Sequence, residues 1–159
     1  MEVRDTLTGN FVRLVPVRYE FQHRTGDSFD DNWLVIGLQV QCNDATWAFE
    51  DPALLVDEAH EVASWLLAAG EGRLSPLTPD DHGHTQPDTD FLEPTIGFGL
   101  VAFSLQLLTI RVFLCVESPP PNMQTEWPWN FYVDLTTTPS SLVKAADEWT
   151  NHLVNFTVR

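Results

Sequence analysis

Six side chains able to ligate metal or move protons gather in one short stretch: Asp80, Asp81, His82, His84, Asp88 and Asp90. A His-x-His pair suits zinc, and clustered carboxylates suit calcium. The spacing matches no calcium-loop pattern, and Pro76, Pro79 and Pro87 break the segment. It therefore reads as a solvated acidic loop, and no metal site is assigned. Asp57-Glu58-Ala59-His60 spells the acidic box of a helicase class. That chemistry also needs a Gly-Lys-Ser/Thr loop to cradle phosphates, which this chain lacks. His60-Glu61 begins a zinc-protease motif, but Ser64 stands where the second His must be. Ser104, Ser118, Ser140 and Ser141 have no flanking nucleophile motif, and His23 and His152 have no visible partner. Among 23 carboxylates, no pair stands apart as acid and base. No catalytic residue and no cofactor is nominated, and the chain is expected not to be an enzyme.

The distribution of charge says more than any motif. The 159 residues carry 23 Asp and Glu against 8 Lys and Arg, a net charge of −15. Direct nucleic-acid binding is excluded by the shortage of cations for phosphate contacts, and an anionic membrane surface is disfavoured on the same ground. Disorder is excluded by 43% hydrophobic and 11% aromatic residues, 6 of them Trp. The length suits one domain, residues 1–159, with a real core. Between residues 25 and 72 there are ten acids and no Lys or Arg; between 74 and 110 there are five more acids and no base until Arg111. Such a surface serves either solubility or steering toward a basic partner.

Met1-Glu2-Val3-Arg4-Asp5 lacks the basic-then-apolar order of a signal peptide. The apolar stretch 96–116 is interrupted by Ser104, Gln106, Thr109 and Arg111, which makes it sheet material rather than a membrane span. Asn155-Phe156-Thr157 fits a glycosylation acceptor only by chance, and Cys42 and Cys115 read as buried free thiols. A cytoplasmic address is the expectation.

The elements that must position these groups follow from periodicity. Residues 15–22 alternate, with Val15, Val17, Tyr19 and Phe21 on one face and Pro16 marking an edge or a strand start. Leu34, Ile36, Leu38, Val40 and Cys42 define the next buried face; a turn at Asn43-Asp44 leads to Trp47 and Phe49. A helix is predicted with Asp51 as N-cap, Pro52 at its first position and Gly70 as its stop. Leu55, Ala59, Val62 and Leu66 form its apolar stripe, and Asp57, Glu58, Glu61 and Ser64 its wet side. Residues 70–90 form an unusually long loop. Three further strands are predicted: one including 95–105, one over 106–117 with Leu108, Ile110, Val112, Leu114 and Val116 buried, and one over 129–135. Thr138 and Pro139 then start a second helix striped by Leu142, Ala146, Trp149, Leu153 and Phe156. The fold class is α+β: a mostly antiparallel β-sheet with two α-helices packed on one face.

Asp31-Asn32-Trp33-Leu34-Val35, Leu92-Glu93-Pro94, Trp129-Asn130-Phe131-Tyr132-Val133-Asp134-Leu135 and the ending Leu153-Val154-Asn155-Phe156-Thr157-Val158-Arg159 belong together. With them, the chain resembles the WapI-like immunity proteins of bacterial contact-dependent and polymorphic toxin systems. The long loop and Pro119-Pro120-Pro121 are local departures. The resemblance implies a small cytoplasmic protein that binds and neutralises a cognate toxin, often a nuclease, without activity of its own. A nuclease offers a basic cleft that an acidic protein can occupy. Asp57, Glu58 and Glu61 on the first helix and Asp80 and Asp81 in the loop are the expected recognition carboxylates. Trp127, beside Pro128, is the expected aromatic anchor. A small metal- or ligand-binding module, or a domain binding another host protein, is the alternative.

Overall fold

The computed structural model describes residues 1–89, 91–115, 118–120, 129 and 131–159. The α+β class read from the periodicities holds, with the strands divided between two antiparallel sheets. The first contains β1 (Glu2–Arg4), β2 (Phe11–Tyr19), β3 (Trp33–Cys42) and β4 (Ala45–Leu55), in that order. After α1 (Val56–Gly70) comes the second sheet, β5 (Ile96–Phe103), β6 (Leu108–Leu114) and β7 (Phe131–Thr137), and then α2 (Pro139–Leu153).

The alternation in β3 and β6 is borne out: Leu34, Ile36, Leu38 and Val40 are buried, as are Leu108, Ile110, Val112 and Leu114. Val116 lies outside the described residues. In β2 the phase is reversed. The strand starts at Phe11, so Val12, Leu14 and Pro16 face the core while Val15 and Val17 stand 39% and 42% exposed. A bulge between Pro16 and Arg18 then shifts the register, so Tyr19 packs against the core edge. Phe11, on the outer face, is buried by cations: the Arg4 guanidinium sits 4.5 Å and that of Arg13 5.7 Å from its ring centre. Pro16 falls beyond the end of β1, where a main-chain N–H would point at an open sheet edge, and a proline blunts that edge.

The predicted start of α1 is corrected. Asp51 and Pro52 remain in β4, opposite Ile36 and Val35, and the helix begins four residues later at Val56. β4 is an edge strand and carries a register shift here, so a residue without an N–H is tolerated. The helix stop falls where it was predicted. Gly70 is the last helical residue, and Gly72 takes the left-handed turn at φ 69°. The Gly72 N–H donates to Ala69 O and the Arg73 N–H to Ala68 O, the paired bonds of a Schellman ending. The second helix starts as predicted: Thr138 caps it by accepting the Ser141 N–H at 3.1 Å, and Pro139 follows. Phe156 lies past its end, packed at a tilt against Tyr19 with 5.4 Å between ring centres.

The inner faces of both sheets and the apolar stripes of both helices share one core cluster. The helices are fastened to each other by the Trp149 indole N–H on Ala59 O, at 2.7 Å. The sheets meet where the Thr6 N–H donates to Thr136 O and the Thr136 N–H donates to the buried Asp5 carboxylate. They meet again where the Trp47 indole N–H donates to Ser118 O and its ring packs on Phe131. Cys42 and Cys115 are free thiols.

The connection from α1 to β5 is fastened along its length. The Leu77 N–H donates to Leu100 O and the Asp88 N–H to Phe98 O, so the loop runs beside the open edge of β5. Gly97 and Gly99 permit this approach: a Cβ at Gly99 would stand 2.5 Å from Leu77, and one at Gly97 2.7 Å from Pro87.

Candidate partner-binding surface

The five acids predicted to recognise a partner have different environments. Glu58 sits at the third position of α1 and turns back, accepting the Leu55 N–H at 2.8 Å. Its other oxygen accepts the Leu92 N–H at 2.6 Å. Leu55 offers no side-chain acceptor, so only the returning half of a capping box is formed. Asp80 is engaged as well. Its carboxylate accepts the main-chain N–H groups of His82 and His84, each at 2.8 Å, and closes the turn that carries them. The His84 N–H first, and that of His82 after it, hold the Asp80 carboxyl below its ordinary pKa. Among the described residues, no three His, Cys, Asp or Glu side chains converge as an ion would require.

Asp57, Glu61 and Asp81 are exposed. Asp57 and Glu61 are four residues apart on the outer side of α1, with His60 and Ser64. No described cation pairs with either, because most of the cations are used elsewhere. Arg4 and Arg13 share Glu2, Arg73 meets Glu71, Arg111 meets Asp134, and Lys144 meets Glu148. Trp127 lies outside the described residues.

Sequence reasoning missed what surrounds Asp57. The 3-10 turn Asp30–Asn32 places Phe29, 49% exposed, against the start of α1. The last residues of the chain cross the same region. Asn32 grips the Arg159 main chain, accepting its N–H at 2.8 Å and donating to its carbonyl at 3.4 Å. The Tyr19 hydroxyl donates to Thr157 O, and the Arg159 guanidinium lies 3.4 Å from the Tyr19 ring centre. This strap sets Val158 beside Phe29 and Asp57. Asp31, buried next to Asn32, accepts the N–H groups of Thr25 and Gly26 and so shapes the same loop. Asn32 and its partner are 127 residues apart, so no local pattern could have revealed the contact.

A family model described as the immunity protein WapI-like family matches residues 5–157. The chain belongs to this family. No curated protein and no solved structure gives a significant match. The function that goes with the family is immunity, which implies a toxin as partner. The segments that carry the resemblance do structural work here: Asp31 and Asn32 fasten the 25–32 loop and the terminal strap, and Asp134 holds Arg111 across β6 and β7. No helix among the described residues is long and apolar enough to cross a membrane.

Proposed function

We propose that this protein binds and neutralises a cognate toxin in the cytoplasm through its acidic surface, and that the toxin is a nuclease. It acts by occupying the toxin's basic cleft and performs no chemistry itself. The observation that carries this reading is the exposed face of α1, where Asp57 and Glu61 face solvent without a described cation in a member of an immunity family. Carboxylates held this way attract a cationic cleft at long range and raise its rate of encounter. Asp81 belongs to the same recognition set. Glu58 and Asp80 support it by fixing the helix start and the loop turn.

Coexpression with the toxin encoded by the neighbouring gene tests the reading. Rescue of growth is expected, together with an association rate that falls as salt rises. Failure to rescue overturns it. With Asp57→Asn and Glu61→Gln combined, association is expected to slow about tenfold while the fold is kept.

A further inference from the structure

At the start of α1 lies a hollow of about 240 Å³, lined by Ser28, Phe29, Asn32, Leu55, Val56, Asp57 and Val158. Its lining is mixed, with Ser28 and Asn32 beside the apolar side chains, and its carboxylate has no bonded partner among the described residues. The nearest base in sequence is turned away: Arg159, next to Val158, rests on the Tyr19 ring and donates to Phe21 O at 3.0 Å. Glu61 stands one helical turn from Asp57, and Asp30 follows Phe29. An apolar ligand would leave the carboxylate unused, and an anion would be repelled. A long cationic side chain satisfies both features, its stem covering the apolar side chains of Phe29 and Val158 while its head meets a carboxylate. An aromatic ring in the wall adds attraction for such a head.

We propose that this hollow is a socket for one arginine or lysine side chain of the basic partner, with its stem on Phe29 and Val158 and its head on Asp57. The identity of the partner rests on the immunity reading; the socket does not. The Asn32–Arg159 strap is the positioning device, since it holds Val158 in the wall.

The intact protein, isotope-labelled, is titrated by NMR with N-acetyl-arginine methylamide, the lysine analogue and the uncharged norleucine analogue. Signals of Phe29, Asp57 and Val158 are expected to shift with the cationic compounds at about millimolar concentration, and not with norleucine. The stronger of the two identifies the preferred head group. Asp57→Asn is expected to weaken this binding about tenfold with an unchanged melting temperature, and Phe29→Ala to weaken it several-fold. Equal shifts with norleucine, no cation-dependent shift at these residues, or an unaltered response in Asp57→Asn overturns the proposal. Shifts at these residues that grow with protein concentration alone overturn it too, because the occupant is then a second copy. In the complex with the toxin, Asp57→Asn is expected to dissociate about tenfold faster than the wild type. If the wild type rescues cells from no toxin while the titration succeeds, the immunity reading fails and the socket stands.

Discussion

Carboxylates of the same type do opposite work in this protein, and hydrogen-bond donors decide which. Asp5 is 5% exposed and accepts three main-chain N–H groups, from Leu7, Thr8 and Thr136. Burial alone would raise its pKa, but the bonds from Thr136, Thr8 and Leu7 outweigh burial and hold it below the ordinary aspartate value. A carboxyl depressed in the folded state contributes stability that is full above its unfolded pKa and is lost as pH falls through the folded one. Asp5→Ala is therefore expected to cost about 3 kcal/mol near neutral pH. In urea unfolding, the gap from wild type should narrow as pH drops below the ordinary aspartate range; a constant gap would refute the assignment. Glu58 and Asp57 separate a bonded carboxylate from an exposed one. Glu58→Ala removes the return cap and strands the Leu92 N–H, and is expected to destabilise by about 1–2 kcal/mol. Asp57→Asn has no described bond to lose, so it should change stability by less than about 0.5 kcal/mol. Thermal unfolding of the two variants side by side checks the contrast.

Among the elements, the long loop and β5 depend on each other. β5 forms one edge of its sheet, and an uncovered edge invites pairing with other chains. Leu77 and Asp88 cover it through main-chain bonds, and Gly97 and Gly99 leave room for the side chains of Pro87 and Leu77. Gly99→Ala should force Leu77 outward at a cost of about 1–3 kcal/mol. Faster hydrogen exchange at the Leu77 and Asp88 amides is the expected signature; unchanged protection would mean that the loop is held by other contacts. The loop's composition suggested a solvated segment, but its attachment comes from a later strand, through Leu77 to Leu100 and Asp88 to Phe98. The start of α1 misled for a related reason. Asp51-Pro52 is a good local opening for a helix, yet β3 offered ten residues of pairing, and strand pairing won until Leu55. Thr138-Pro139 carries the same kind of signal and does start a helix, because β7 ends at Thr137 and leaves the cap free.

For the whole molecule, the net charge of −15 has two consequences of opposite sign. Repulsion within one acidic surface works against compactness, whereas attraction to a basic partner drives encounter. Added salt screens both. Raising salt should therefore raise the melting temperature of the protein alone and slow its association with the toxin. A melting temperature that falls under the same conditions would contradict the first half. We propose that residues 1–159 unfold as one domain, since both sheets and both helices contribute to one core. Coincident transitions by fluorescence and far-ultraviolet circular dichroism are expected, and two separated transitions would refute this.

The alternation of β3 and β6, the Thr138 cap, the α+β class and the acidic bias were all legible in the chain itself. Each is a local or summed property: side chains alternate every two residues, a cap acts over three, and charge is a count. The availability of a particular carboxylate can be local, as at Asp80 with His82 and His84, but elsewhere it is neither local nor a sum. Glu58 is bonded in part by Leu92, 34 residues away, and Asp5 in part by Thr136, 131 residues away. Val158 is held near Asp57 by the bonds of Asn32 to Arg159 and of Tyr19 to Thr157. The sequence by itself determined that this protein is strongly acidic and of the α+β class. Only the tertiary structure decided that Glu58 and Asp5 are tied across the fold while Asp57 faces outward, because part of that choice is made by donors distant along the chain.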